Sequence, residues 1–292
     1  MIMTPRIFFI GNTESGKGIP TINDASYAHL NIVSKESIQQ DPEALMERIK
    51  TTDFDVLAAM GGDGTISAAF TMAAALNLKQ PILMLPSGTT NDIAKNYYET
   101  VNIEEILTTT DFTTTITTDL GVVNDKVFSY ALTFGYLSNV PYTTDQKLKN
   151  KFGYFAYMLR GFWEIWKLKK YRLDVNVDDE IVKGKFSFVS ITNTKKMANF
   201  VRFPDSTDLA DGLFEVMLVR TPKTPVQLVK ALHQINTQSF EDDSIIFRRA
   251  KKVTINSEST VEYGLDGEFG GKTKHIQFDV EPEPITLVGP LK

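Results

Sequence analysis

Hydrophobic and polar positions follow two different rhythms along this chain, and the change falls near residue 112. Before it, short apolar runs at 6–10, 29–33, 55–60 and 81–85 alternate with stretches of helical character at 41–50 and 66–76, and a further helix is expected from 91–97. Strands alternating with helices predict a parallel α/β sheet. Asp41 is placed to cap the helix at 41–50, and Pro42 suits its first position. The runs at 55–60 and 81–85 read as buried strands that end in glycine-containing loops. After 112 the spacing becomes period two. Residues 112–140 are rich in Thr, Val and Phe, with Asn124-Asp125 as a hairpin turn. Short strands follow at 172–177, 181–191, 213–219, 251–256, 260–263 and 276–280, interrupted by one helix at 225–235. This half predicts an antiparallel β-sandwich. There is no internal repeat and no low-complexity linker.

Composition narrows the classes. The 292 residues exceed one usual domain, and 42% hydrophobic residues suffice for a large core. No cysteine is present, which removes disulfides, thiolate nucleophiles and Cys-based zinc sites and fits a reducing compartment. The apolar stretch at 7–10 is too short for a signal-peptide core, and no run approaches the ~18 residues that cross a bilayer. A cytoplasmic protein is therefore expected, with peripheral contact to the inner membrane face left open. The net charge of −5 argues against general nucleic-acid binding. Its distribution is uneven: residues 1–140 hold 8 basic and 16 acidic side chains, whereas 145–172 hold 8 basic and 2 acidic. In that basic stretch Lys167, Lys169, Lys170 and Arg172 are mixed with Phe162, Trp163 and Trp166, a composition suited to an anionic bilayer surface. A helix packing its aromatics on the sandwich would read the same way.

Candidate chemistry sits in the loops. Gly11-Asn12-Thr13-Glu14-Ser15-Gly16-Lys17-Gly18 follows the first strand and nearly matches G-x-x-x-x-G-K-[ST], but Gly18 lacks the hydroxyl that would hold Mg²⁺. A phosphate-cradling loop of another kind is the better reading, and a plain turn is the bland one. Gly61-Gly62-Asp63-Gly64-Thr65, between a buried strand and a helix, is stronger. Its glycines let backbone approach phosphate, and a helix N-terminus favours an anion. Asp63 would repel bare phosphate, so its presence points to Mg²⁺ or a water network. Pro86-Ser87-Gly88-Thr89-Thr90-Asn91-Asp92 repeats the design after the next strand, where Asn91 or Asp92 could simply cap a helix. Two such loops on adjacent parallel strands share the carboxyl edge where α/β sheets bind ligands. Asp266 and Glu268, in Gly264-Leu265-Asp266-Gly267-Glu268, would point the same way on an extended strand, as a base and its orienter or metal partner. A polar hairpin turn is the alternative. Asp205, Asp208 and Asp211 form an acidic loop, either a cation site or a solvated surface.

The order of these motifs resembles the diacylglycerol kinase catalytic family, including the soluble bacterial lipid kinases: a glycine loop near residue 16, GGDGT, PSGTTND, DLADGLF and GLDGE. GGDGT is shared with NAD kinases and phosphofructokinase-like enzymes, while the GTTND loop and GLDGE select the lipid kinases. The resemblance implies an N-terminal α/β nucleotide-binding domain (1–112 with 283–292, the final strand returning to it) and a C-terminal antiparallel β-sandwich (113–282), with the site in the cleft. It implies ATP on Asn12, Thr13, Glu14, Ser15, Gly16, Ser34, Gly61, Gly62, Asp63, Gly64, Thr65, Ile66, Ser67 and Thr89. Asp266 would be the general base supported by Glu268, and Asp208, Asp211 and the Leu213 carbonyl would hold Mg²⁺, linked through water to Asp63. The implied partner is a membrane lipid alcohol, most simply diacylglycerol, and a homodimer is compatible with the pattern. The chain departs from the family at Thr13-Glu14, in the short span between Gly18 and the second strand, and at Thr194-Lys195-Lys196-Met197-Ala198-Asn199. An NAD kinase-like enzyme and a non-catalytic nucleotide- or lipid-binding regulator are the competing readings.

Overall fold

A computed structural model of the chain describes residues 4–11, 30–135, 169–197, 201–204, 207–240, 242–281 and 284–289. The first sheet has six strands in the order β2-β1-β3-β4-β17-β5: β1 Arg6–Gly11, β2 Asn31–Ser37, β3 Val56–Gly61, β4 Ile82–Pro86, β5 Thr115–Thr118 and β17 Ile285–Val288. β1 to β4 pair in parallel, and β17 lies parallel to β4 and antiparallel to β5. β3 and β4 are buried along their whole length, which is why they read as unbroken apolar runs. β2 alternates between exposed and half-buried residues because it forms the sheet edge.

Helix α1, Pro42–Thr51, is capped by Asp41, whose carboxylate accepts from Ala44 N at 3.0 Å. Helix α2, Asp63–Ala75, lies against β3, β4 and β17 and also touches the second sheet at β7. The segment expected to become a helix from residue 91 makes only a 3₁₀ turn, Ala94–Asn96. Asn91 holds a left-handed φ of 52° there, and the Asn96 side chain is drawn away by Thr194 at 2.9 Å and the Lys195 N–H at 3.0 Å. A helix absent from the sequence expectation, α3 at Ile103–Thr109, is capped by Asn102 and carries Glu104 and Glu105 in its first turn.

The second sheet has nine antiparallel strands, among them β6 Gly121–Val123, β7 Lys126–Phe128, β8 Ala131–Gly135, β9 Tyr171–Val177, β10 Glu180–Thr192, β13 Phe214–Arg220, β14 Ile245–Ala250, β15 Lys252–Leu265 and β16 Glu268–Val280. A two-stranded ribbon, β11 Lys196–Met197 and β12 Val201–Arg202, stands apart. Phe214 of β13 and Phe278 of β16 are far apart in strand order, yet their rings meet at 5.0 Å. The sheet therefore folds over onto its own core, giving the sandwich-like layer. Helix α4, Pro225–Thr237, covers a separate apolar cluster with Ala231 and Ile235.

Thr115–Thr118 belongs to the first sheet, although a boundary at 112/113 would assign it to the sandwich. Its side chains alternate like those of a sandwich strand; only its pairing with β17 reveals where it sits. The loops at Asn124-Asp125 and Asp266-Gly267 are two-residue hairpin turns with positive φ at both positions, 45° and 66° in the first and 51° and 88° in the second.

Candidate active site

The carboxyl ends of β3 and β4 bring the two glycine loops together. Ser87 N donates to Gly61 O at 2.8 Å. A Cβ on Gly88 would stand 2.6 Å from Gly62 Cα, and one on Gly61 would stand 2.3 Å from Thr65 Oγ1. Backbone therefore meets backbone where the two loops touch, and only glycine permits it. Gly62 caps α2 without a side chain, and its carbonyl accepts from Thr65 and Ile66 N–H at 3.0 and 3.1 Å. The earliest N–H groups of α2, which a helix leaves without intrahelical partners, open at this edge and make an anion site. Thr65 and Ile66 are buried, while Gly64 and Thr89 are exposed.

Asp63 is used differently from the expectation. Its carboxylate accepts from Thr90 Oγ1 and Ile93 N, both at 2.8 Å, so it binds the second loop to the first. The Asn91 side chain closes the second loop on itself, accepting from Gly88 N at 2.8 Å and donating to Gly88 O at 3.0 Å. Lys95 donates to the Thr90 carbonyl. Ser34 lies within β2, opposite Phe8, and donates to Glu36 at 2.9 Å. Burial alone would raise the Glu36 carboxyl, but hydrogen bonds from Gln40 and Ser34 and the Arg48 charge outweigh it and hold the group below its usual range. Asn12, Thr13, Glu14, Ser15 and Gly16 lie outside the described residues, as does most of the basic stretch 145–172.

The second domain delivers Asp266 to this edge. Asp266-Gly267 is the tight turn between β15 and β16, so the two carboxylates do not share one face of an extended strand. Left-handed backbone at Asp266 turns its side chain toward the residues leading into β8. One carboxylate oxygen accepts from Tyr130 N at 2.8 Å and Ala131 N at 2.9 Å. The other accepts from Ser129 N and Ser129 Oγ, both at 2.9 Å, and from Ser67 Oγ at 2.5 Å. Ser67 stands on α2, one turn beyond Asp63, so a residue expected on the nucleotide joins this helix to the carboxylate. Glu268 is exposed, and one of its oxygens lies 3.2 Å from where a Gly64 Cβ would stand. Ser129, Tyr130 and Ala131 contribute mainly through backbone N–H groups, which no side-chain motif announces.

The acidic loop is arranged for internal bonding. Asp208 accepts from Ala210 N at 3.1 Å, and Asp211 accepts from Leu213 N at 3.0 Å and pairs with Arg249. Asp119 accepts from Gly212 N at 2.6 Å, and burial raises its carboxyl. Glu215 is fully buried, 3.5 Å from Arg249, and burial pushes it up to about 7. A guanidinium thus occupies the cation position against Asp211, and among the described residues no group of three or more His, Asp or Glu side chains is placed to hold a metal. Asp208 and Asp211 are thus engaged within the loop and with Arg249, and the Asp63 carboxylate with Thr90 and Ile93.

Known proteins fit this arrangement. The diacylglycerol kinase catalytic domain matches residues 6–123, and the YegS C-terminal NAD kinase beta sandwich-like domain matches residues 131–289. A diacylglycerol kinase of Bacillus subtilis is 29% identical over 224 residues, covering 75% of this chain and 73% of the relative. One of Staphylococcus aureus (strain JH9) is 28% identical over 230 residues, covering 77% and 72%. The crystal structure of a diacylglycerol kinase from Bacillus anthracis superposes with TM-score 0.69 at 18% identity, covering 97% of this chain and 96% of that one. An NAD kinase from Archaeoglobus fulgidus, solved with ATP, superposes with TM-score 0.54 at 13% identity over 97% and 93%, a likeness of fold. The chain joins a diacylglycerol kinase catalytic domain, residues 6–123, to a YegS C-terminal NAD kinase beta sandwich-like domain, residues 131–289, and is a kinase, a phosphotransferase with an alcohol acceptor.

Proposed function

We propose that this chain transfers the γ-phosphoryl group of ATP to the hydroxyl of diacylglycerol at an anionic bilayer surface, producing phosphatidic acid. The observation that carries the reading is the meeting of Asp266 with Ser67: a carboxylate from one domain stands against the helix of the other whose N-terminus forms the anion site. Phosphoryl transfer depends on positioning and charge stabilisation more than on covalent chemistry, and two glycine loops with one fixed carboxylate supply those parts. The triphosphate lies against Gly61, Gly62, Gly64 and Thr65, with Thr89 beside it. Asp266 accepts the proton of the acceptor hydroxyl as its oxygen attacks the γ-phosphorus in line, and ADP leaves. Glu268, beside Gly64, orients the acceptor from the other side. Mg²⁺ would accompany the nucleotide and offset its phosphate charge, with no protein ligand assigned to it.

Basic and aromatic residues at 145–172 suit an anionic lipid surface by composition. The test is a kinase assay with labelled ATP against vesicles carrying diacylglycerol, vesicles carrying other lipid alcohols, and NAD⁺ as a soluble acceptor. Label in diacylglycerol is the expected result; label in the dinucleotide, or in no acceptor, overturns the reading. Vesicle binding is expected to weaken with salt and with Lys167→Glu, Lys169→Glu and Lys170→Glu; indifference to both would remove the membrane surface from the account.

A further inference from the structure

Among the described residues, five donors converge on the Asp266 carboxylate, which offers about four lone-pair positions. An acceptor alcohol can bond it only if one donor leaves. Three of the donors are backbone N–H groups of residues 129–131, fixed by the chain leading into β8. The fourth is the hydroxyl of Ser129, a residue only 4% exposed whose own N–H binds the same oxygen. The fifth, Ser67, differs in its origin and exposure. It comes from the other domain, it is half-buried, and it stands on α2 one turn beyond the residues facing the anion site. A single χ1 rotation frees it, and a helical serine can then bond the carbonyl four residues back, so the released hydroxyl keeps a partner.

We infer that the Ser67 hydroxyl is a stand-in for the acceptor alcohol: it fills the donor position on Asp266 that the substrate hydroxyl takes, and it yields that position when the acceptor arrives. The inference rests on the proposed reading of Asp266 as the base. Its consequence is protection against wasteful turnover. In hydrolysis, the oxygen of water bonds the γ-phosphorus while the bond to the ADP oxygen breaks, and the proton of water passes to Asp266, giving ADP and phosphate. With Ser67 seated, water finds no open position on the base. A lipid hydroxyl held by its own apolar anchorage can displace Ser67, whereas untethered water competes poorly.

The test uses the full chain, labelled ATP and diacylglycerol vesicles, and reads free phosphate released per lipid phosphorylated. Ser67→Ala is expected to raise that ratio about tenfold or more, since a hydrogen bond to a charged group is worth roughly 1.5–3 kcal/mol. Ser67→Thr, which keeps the hydroxyl, is expected to bring the ratio back toward the wild-type value. A purely structural role would lower both products together and leave the ratio unchanged, and that result in Ser67→Ala overturns the inference, as does Ser67→Thr behaving like Ser67→Ala. Should Ser67→Ala not fold, Ser67→Cys, similar in size but a weak donor, is expected to move the ratio in the same direction. A wild-type chain that labels no lipid overturns the underlying reading, whereas labelled lipid with an unchanged ratio in the variants overturns this inference alone.

Discussion

Replacing Asp266 with Asn changes only one atom of the side chain, yet the surroundings predict a large structural effect. The two carboxylate oxygens face donors exclusively: two N–H groups on one side, and one N–H with two hydroxyls on the other. An amide must present its NH₂ to one of these sides. On the first it opposes two backbone N–H groups. On the second the hydroxyls of Ser67 and Ser129 can turn to accept, but Ser129 N–H remains opposed. The better orientation therefore sacrifices one backbone hydrogen bond, about 1–3 kcal/mol, and removes charge assistance from the others. Because Asp266 is only half-buried, the sum is discounted to about 2–4 kcal/mol. Urea unfolding followed by tryptophan fluorescence and by circular dichroism measures this directly. Asp266→Asn is expected to unfold at clearly lower urea with little change in slope, in addition to losing phosphoryl transfer. A midpoint matching the wild type would refute the reasoning, because it would mean that the five donors seen around Asp266 do not hold the carboxylate in solution. Loss of activity in this variant consequently needs the unfolding curve beside it before it is read as loss of a base.

Gly88→Ala drives a Cβ to 2.6 Å from Gly62 Cα, so the glycine loops must part; overpacking of about 1–3 kcal/mol and weakened ATP binding are expected, read by thermal denaturation and nucleotide titration. Glu215, raised from 4.5 to about 7 by burial, stabilises the fold fully below pH ~4.5, and its contribution is lost as pH rises through about 7. Glu215→Gln, neutral throughout, is expected to flatten that part of the stability–pH curve, and a curve parallel to the wild type would count against the raised carboxyl. Because Arg249 pairs with Asp211, EDTA is expected to leave the thermal midpoint of the nucleotide-free chain unchanged; a drop restored by Mg²⁺ would show that a cation holds the acidic loop.

The sequence by itself determined the two-layer plan and the glycine-lined edge. Apolar runs such as 55–60 and 81–85 suit strands covered on both faces, and glycines at 62 and 88 stand where backbone approaches backbone, a requirement that leaves a residue-level mark. The turn at Asn124-Asp125 was equally legible, because left-handed φ selects those residue types. Tertiary structure alone decided how the parts are used. Whether Thr115–Thr118 joins the first or the second sheet depends on β17, 170 positions away in the sequence, because alternation describes a strand but not its partner. Asp63 and Asp266 carry the same chemistry in the sequence; one ties two loops together and the other stands at the domain junction, because a carboxylate's role is set by the donors that long-range contacts place around it. The N–H groups of residues 129–131 left no signature at all, since every residue but proline has one and only the fold aims three of them at a single side chain.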